Sequence, residues 1–250
     1  MTRQRGTMDM ALFRKIVDEA VTIPAIDHFT ITGLGEPLLD KHLIERIRYV
    51  RRAMPGILLD LYTNGSCLDE AKATEFRDAG LSVLYVSLNA VTADKRRQIM
   101  KLDDFEQVRA ATHKAMEIGG ARMKVIVKAV CSKDLMEHQE GEQFLAEWNG
   151  TFQQGGNAFL HLEGNWAGAV WPMRVKPTSP CDRALNQFMV LWDGRVSLCC
   201  FDGEGEVILG DLNRQTIREV FSGEKAAGIR QAHVEGRRGE LKLCSSFTAI

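Results

Sequence analysis

The chain has 250 residues, of which 32 are basic and 33 are acidic, so its formal net charge is −1. This length suits one large α/β domain or one domain with a small appendage, and 45% hydrophobic with 26% charged side chains excludes disorder, collagen and a disulfide miniprotein. The balanced charge gives no reason to expect a nucleic-acid or membrane partner, and no apolar run approaches the ~20 residues of a membrane helix.

The six cysteines are expected to be reduced. The first residues are polar and no apolar core of a signal peptide follows them, so the expected compartment is the cytoplasm, where thiols stay reduced. The cysteines are therefore expected to be ligands, reactive thiols or buried small residues.

The chain begins with helical spacing of apolar residues over 10–21, after which short apolar runs alternate with helical patterns. The expected strands are 29–32, 57–62, 83–88, 123–130 and 158–162, and the expected helices are 43–54, 69–79, 105–118 and 137–148. This alternation predicts parallel β/α units with strands buried on both faces. Five strands are too few for a closed eight-stranded barrel, and a start on a helix suggests that a first strand is missing upstream of Met1.

The pattern changes after about residue 164, where glycines and prolines interrupt the chain. We therefore expect a β/α domain over 1–165 and a small cysteine-rich extension over 166–250. Residues 188–199 predict a hairpin that turns at Asp193-Gly194, and residues 217–221 predict a short helix.

Polar motifs follow three consecutive expected strands. They are Gly33–Pro37 after the first strand, Thr63–Gly65 after the second and Ser87 at the end of the third. Because parallel strands end at one edge of a sheet, we expect these motifs to face a shared cavity, with Glu36 as a fixed carboxylate. Leu38 takes the place of the third glycine of a dinucleotide fingerprint, which excludes that reading. Each motif by itself is also typical of a plain turn or cap.

Together these motifs resemble the radical S-adenosylmethionine (SAM) enzymes. By this resemblance the residues that contact SAM are Gly33, Gly35, Glu36, Thr63 and Ser87. The glycines and Glu36 would meet its amino-acid end, and Ser87 its ribose. The match departs at Leu34, where the common motif has adjacent glycines. Some members carry an arginine after the third strand, and none of Arg96, Arg97 and Met100 is assigned to that place.

The cysteines of the last third resemble the SPASM/twitch extension of radical SAM proteins. They are spaced Cys181-x17-Cys199-x44-Cys244, with Gly194 five residues before Cys199. The resemblance implies an auxiliary [4Fe-4S] cluster held by these thiolates, and soft sulfur ligands suit such a cluster.

One position of that extension differs from its single-cluster form, which ends in Cys-x-x-Cys. Phe247 stands where the fourth ligand is expected, and Cys200 is a candidate substitute. The alternative is that all these residues are buried free cysteines, which is also the fate expected for Cys67 and Cys131.

No cysteines in this chain have the Cys-x3-Cys-x2-Cys spacing that holds the SAM-cleaving cluster in the family. Residues 5–9 resemble the stretch that follows that motif. Either Met1 is a truncated or misassigned start, or the chain is a remnant that has lost the chemistry. The 250 residues as they stand are expected not to cleave SAM, and a catalytic cluster is expected only with an upstream segment.

The resemblance implies a partial (β/α) barrel of the radical SAM type without its first strand, followed by the cysteine-rich extension. The implied activity is that of an oxidoreductase in which a 5′-deoxyadenosyl radical abstracts hydrogen from a small molecule or peptide and the auxiliary cluster accepts an electron. The spacing is similar to that of radical SAM dehydrogenases acting on aminocyclitol hydroxyls. SAM and [4Fe-4S] are the implied cofactors, with flavodoxin or ferredoxin as electron donor.

Two other functions stay open. The chain could be a degenerate, non-catalytic scaffold that binds a partner or peptide. It could also be an ordinary β/α enzyme that uses Glu36 and His161 for acid–base work, which predicts a colourless, iron-free protein.

Overall fold

The computed structural model describes residues 3–32, 35–131, 139–149, 157–162 and 179–246. The chain forms two compact units: residues 23–163 make up the β/α unit, and residues 1–22 join residues 164–250 in the cysteine-rich unit. Within the described ranges, no helix has the length and apolarity that a membrane crossing needs.

Strands and helices alternate through the β/α unit, as the sequence predicts. Helix α1 (Met10–Val21) precedes this unit in the chain. The strands are β1 (His28–Ile31), β2 (Leu58–Thr63), β3 (Val83–Ser87), β4 (Lys124–Cys131) and β5 (Ala158–Leu162). The helices are α2 (Leu43–Ala53), α3 (Glu70–Ala79), α4 (Ala93–Met100), α5 (Phe105–Gly119) and α6 (Gln139–Glu147), with a 3-10 turn at Pro37–Leu39.

The five strands form one parallel sheet in the order β1-β2-β3-β4-β5. Crossovers between neighbouring parallel strands are right-handed, so a sheet built in chain order receives its helices on one face. That face is apolar: Leu59, Leu61, Leu84 and Val86 are each fully buried.

The opposite face, here called the polar face, carries polar and aromatic side chains. Strand register and alternation place on it His28, Thr30, Asp60, Tyr62, Val83, Tyr85, Ser87, Lys124, Ile126, Lys128 and Phe159. Tyr62, Tyr85 and Lys128 are only partly buried. Val83, Ile126 and Phe159 are nevertheless buried together on this face, so the expectation of strands buried on both faces is confirmed at these positions.

Helix α4 is an element that apolar spacing does not reveal. Thr92 caps its first turn by accepting a hydrogen bond from Lys95 N, and its one buried residue is Arg96. Because this helix buries a charged side chain and no apolar stripe, its sequence lacks the helical periodicity of apolar residues that would predict it.

The cysteine-rich unit combines α1 with a small antiparallel sheet and short helices. Its further elements are α7 (Asp182–Asn186), β6 (Met189–Val190), β7 (Arg195–Ser197), β8 (Ile208–Asp211), α8 (Ile217–Ser222), α9 (Glu224–Val234), a 3-10 turn at Arg238–Glu240 and α10 (Lys242–Ser245). The predicted hairpin is confirmed as β6 and β7. Gly194 has φ +89°, which a left-handed turn position requires.

The N-terminal segment is bonded into this unit by contacts far apart in sequence. The Glu19 carboxylate accepts a hydrogen bond from Ile217 N at 2.8 Å, at the start of α8. Trp192 Nε1 donates to Gln4 O at 3.1 Å. Residues 3–22 therefore lie with the cysteine-rich unit, although they belong to the expected 1–165 domain. The position of the domain boundary stays a prediction.

We expect Gly6→Ala to lower the free energy of unfolding by about 1–3 kcal/mol, because a methyl group there would overlap the ring of Trp192. Urea denaturation measures this loss. Gly228→Ala is the matched control: it lies inside α9 with nothing within 4 Å of the new carbon, so it should raise stability by about 0.5–1 kcal/mol. A Gly6→Ala protein as stable as wild type would contradict the docking of this segment.

Candidate cofactor and cluster sites

Glu36 joins the loop after β1 to the end of β2. Its Oε1 accepts hydrogen bonds from Leu38 N at 3.0 Å and from Thr63 Oγ1 at 2.6 Å, and its Oε2 accepts one from Asn64 N at 2.8 Å. Two motifs that are 27 residues apart in the sequence thus meet at one edge of the sheet. An ionised carboxylate accepts about four hydrogen bonds, so roughly one acceptor position remains.

Arg96 joins the loop after β2 to the end of β3. The side chain is fully buried, and its guanidinium donates to Asn64 O at 2.9 Å, Leu88 O at 2.9 Å and Ser87 O at 3.3 Å. Asp104 balances the charge through a hydrogen bond of 2.7 Å from Arg96 Nε. Burial opposes ionisation of Asp104, but the hydrogen bonds that its carboxylate accepts and the charge of Arg96 together outweigh burial and hold the pKa of this carboxyl below its usual value.

These two charged side chains place Glu36, Thr63 and Ser87 at the carboxyl edge of the sheet. Gly35 is exposed beside Glu36. Gly33, Leu34 and Phe247 lie outside the described residues, as do the side chains of His161 and Cys131. The assignment of the described residues to SAM stays a prediction. Arg96 could not be assigned from the sequence, because α4 has no apolar periodicity from which its core-facing position could be inferred.

The local backbone at this edge depends on Gly65. Its φ is +81°, and a side chain there would overlap Val108 of α5. Glycine alone meets both conditions, so Thr63-Asn64-Gly65 forms a tight turn that keeps the Asn64 amide directed at Glu36.

Three cysteines of the extension line one cavity in the cysteine-rich unit. Cys181 precedes α7, Cys199 follows β7 and Cys244 lies in α10. Their common cavity has a volume of about 20 Å³. Its other lining residues are Arg183, Ala184, Leu198, Phe201, Arg238 and Leu243.

The thiols of this cavity resist deprotonation. Burial raises the pKa of Cys199 to about 11 and that of Cys244 to about 12, and mutual repulsion between the sulfurs adds to both shifts. A bound cation reverses this effect, because metal-bound thiols are deprotonated. A positively charged group between these three sulfurs therefore stabilises their thiolate forms.

Asp202 shapes the loop after Cys199 and Cys200. It is 2% exposed, and its carboxylate accepts hydrogen bonds from Ser197 Oγ at 2.8 Å, Glu206 N at 2.8 Å and Val207 N at 2.9 Å. One buried acidic side chain thereby fixes both ends of the loop that begins with the two cysteines.

His233 fixes the backbone of Cys181. The imidazole is fully buried, and its Nδ1 accepts a hydrogen bond from Cys181 N at 3.1 Å. Burial and the nearby Arg238 lower the pKa of His233, which keeps it neutral and able to accept. Arg238 also donates to Ser179 O, two residues before Cys181.

The donor chemistry of Cys181, Cys199 and Cys244 fits an iron–sulfur cluster. In the part of the chain that the structure describes, no group of three or more His, Cys, Asp or Glu is placed to hold one metal ion. A cluster does not need such a group, because each thiolate binds a different iron. A 20 Å³ cavity has room for about one water molecule, so the lining side chains must move apart to admit a cluster.

Cys200 occupies a different environment from Cys199. Burial raises the pKa of its thiol, while a hydrogen bond from Arg183 and the charge of that residue oppose the shift. Cys200 does not line the 20 Å³ cavity, although a charge on Cys181 raises the pKa of its thiol. Its role as a fourth ligand stays a prediction.

Family models match both parts of the chain. The model described as the radical SAM superfamily matches residues 1–131, and the SPASM model, described as an iron-sulfur cluster-binding domain, matches residues 181–246. The chain therefore belongs to the radical SAM superfamily and carries a SPASM extension. SAM and [4Fe-4S] clusters are the cofactors of these domains, and the α/β fold is the one the sequence predicts.

Among curated relatives, the chain is similar to the S-adenosyl-L-methionine-dependent 2-deoxy-scyllo-inosamine dehydrogenase of Niallia circulans, with 22% identity over 99% of this chain and 83% of the relative. It is also 32% identical to a GTP 3′,8-cyclase of Sulfurovum sp. (strain NBC37-1), over 53% of this chain but only 39% of that protein.

Two solved structures share the fold. One is BtrN in complex with AdoMet and 2-DOIA, with a TM-score of 0.64 and 18% identity over 99% of this chain and 82% of that one. The other is anSMEcpe with bound AdoMet and the Kp18Cys peptide, with a TM-score of 0.67 and 15% identity over 97% of this chain and 81% of that one. These neighbours thus bind a small molecule in one case and a peptide in the other.

We expect Arg96→Met to lower the free energy of unfolding of the β/α unit by about 3–5 kcal/mol, because it leaves Asp104 without its buried partner. Arg97→Met is the control, since Arg97 is exposed and pairs with Asp94 and Asp103 at the surface, where a pair contributes about 0–1 kcal/mol. Chemical denaturation of both variants measures the difference. Equal effects of the two substitutions would show that Arg96 does not join the strand ends.

Proposed function

We propose that this protein is a radical SAM oxidoreductase that removes hydrogen from a small molecule or a peptide, with flavodoxin or ferredoxin as its electron donor. This activity requires a SAM-cleaving cluster, for which these 250 residues hold no Cys-x3-Cys-x2-Cys motif. The observation that supports this most directly is the common cavity of Cys181, Cys199 and Cys244. When bound, SAM supplies the radical that abstracts hydrogen, and the auxiliary cluster takes up an electron. The dehydrogenase relative favours a small molecule.

The chain's own part at the carboxyl edge is to bind and orient SAM. The remaining acceptor position of the Glu36 carboxylate suits the ammonium group of an amino acid, because a charge-assisted hydrogen bond is short and directional. Gly33 and Gly35 allow a ligand close to the backbone. The Ser87 hydroxyl is proposed to contact the ribose. Arg96 contributes by holding the carbonyl groups of Asn64, Ser87 and Leu88 in place.

The chain's part in the extension is to hold the auxiliary cluster. Cys181, Cys199 and Cys244 are the proposed ligands, and Cys200 is proposed as the fourth because it is adjacent to Cys199 and because a charge on Cys181 raises the pKa of its thiol. His233 and Asp202 orient the segments that carry these ligands. Such outer contacts fix the direction of ligands and tune a metal centre.

We expect Cys181→Ala to abolish iron binding after anaerobic reconstitution with iron and sulfide, because two of three thiolates in one cavity cannot retain a cluster. The readouts are iron content and the brown absorbance of the thiolate-bound cluster. Cys67→Ala is the control and should leave both unchanged, because Cys67 lies in the β/α unit. Cys200→Ala should reduce iron retention if Cys200 is the fourth ligand. A wild-type chain that stays colourless and iron-free would contradict the proposed auxiliary cluster.

We expect the 250-residue chain to form no 5′-deoxyadenosine above a protein-free control when it is reconstituted and supplied with dithionite and SAM. Its six cysteines are at 67, 131, 181, 199, 200 and 244, and no three of them have the Cys-x3-Cys-x2-Cys spacing. Liquid chromatography of the reaction mixture measures the product. Robust turnover would mean that other ligands hold the SAM-cleaving cluster.

A further inference from the structure

Two arginines share a cavity with the three cysteines of the extension. Arg183 and Arg238 both line the 20 Å³ cavity of Cys181, Cys199 and Cys244. Arg238 is fully buried, whereas Arg183 is partly exposed. A guanidinium group stays charged in proteins, so two permanent cations adjoin the place where these thiolates would hold a cluster.

The backbone places Arg238 close to two of the three cysteines. It begins the 3-10 turn Arg238–Glu240, which lies just before α10, the helix that carries Cys244. Its Nη1 also donates a hydrogen bond to Ser179 O at 3.3 Å, two residues before Cys181. Arg238 thus contacts or adjoins the segments that carry two of the proposed ligands.

The charge of Arg238 acts on its neighbours in this cavity. Burial lowers the pKa of His233, and the charge of Arg238 lowers it further. Burial and repulsion by Cys199 raise the pKa of Cys244, and the charge of Arg238 opposes this rise. The buried carboxylate of Asp202 acts on Cys244 in the opposite direction, but more weakly than Arg238 does. The field of these two buried charges at Cys244 is therefore positive.

Arg183 supplies a second, weaker cation at the same cavity. Its guanidinium carbon lies 4.8 Å from the ring centroid of Phe201, which also lines the cavity. Burial raises the pKa of the Cys200 thiol, and the charge of Arg183 and a hydrogen bond from it oppose this rise. Because Arg183 is partly exposed, water screens its charge more than that of Arg238.

A buried cation affects the two oxidation states of an adjacent cluster unequally. A [4Fe-4S] cluster with three or more thiolates is anionic, and reduction adds one more negative charge. A fixed positive charge therefore stabilises the reduced state more than the oxidised state, and most strongly where water is excluded. A methionine would fill the space of an arginine in this cavity without the cost of burying a charge.

We propose that Arg238, assisted by Arg183, raises the reduction potential of the auxiliary cluster and so makes the cluster an effective electron acceptor. Both arginines are positioning residues that act through their charge on the thiolates, and neither is a ligand. This rests on the proposed function, because it takes Cys181, Cys199 and Cys244 to hold the cluster. The electron that the cluster gains is the one that the substrate radical loses.

The test is an anaerobic redox titration of the reconstituted full chain, in which electron paramagnetic resonance follows the reduced cluster. We expect Arg238→Met to make reduction less favourable by about tenfold or more, and each tenfold lowers the midpoint potential of a one-electron couple by about 59 mV. Arg183→Met should lower it by less, because that side chain is partly exposed. Arg238→Lys keeps the charge and should stay within about threefold of wild type.

Arg237→Met is the matched control, because Arg237 is the adjacent arginine, is exposed and pairs with Glu235 and Glu240 at the surface. It should change the reduction equilibrium by less than about twofold. A wild-type potential in Arg238→Met, or an equal loss in Arg237→Met or Arg238→Lys, would overturn the proposal. If Arg238→Met retains no iron, a wild-type potential in Arg183→Met overturns it instead. Iron content reports separately on the proposed function, which a wild-type chain without iron contradicts.

Discussion

The handedness of the β/α crossover is the constraint on which the β/α unit depends. Five parallel strands in chain order receive their helices on one face, and the polar face lies opposite them. Alternation along each strand then divides the residues: Leu61 and Val86 pack under helices, while Tyr62 and Ser87 stay accessible. The same geometry brings the loops that follow the strands to one edge, so motifs separated by tens of residues become neighbours.

Two charged side chains turn this edge into a defined site. Glu36 binds donors of the turn after β2, and Arg96 binds acceptors of that same turn and of the end of β3. Loops of this kind carry many unsatisfied backbone groups, and charged partners satisfy several of them at once. Asp104 balances Arg96, which reduces the cost of burying a guanidinium. In the extension, the buried carboxylate of Asp202 likewise accepts hydrogen bonds from the backbone of a loop.

The fold was predictable from the sequence because its signals are local. Apolar runs, helical spacing and the Asp193-Gly194 turn each depend on a few neighbouring residues. The predicted strand ends lie within one or two residues of the observed ones. For the same reason, the polar residues that follow the strands could be predicted to lie at one edge of the sheet. Arg96 and His233 could not be assigned, because their partners are backbone atoms distant in the sequence. The partial exposure of Tyr62 and Lys128 could not be predicted, because the apolar runs that contain them resemble strands buried on both sides.

The attachment of α1 to the cysteine-rich unit has a consequence for the order of folding. Glu19 and Ile217 are 198 residues apart, so the contact between them closes a very long loop. During synthesis, α1 is made before the β/α unit, whereas its partner surface is made after that unit. The β/α unit, whose strands pair with their nearest neighbours, can complete its sheet while the buried side of α1, with Phe13 and Val17, still waits for α8. Chaperone binding during that interval is expected at this amphipathic segment.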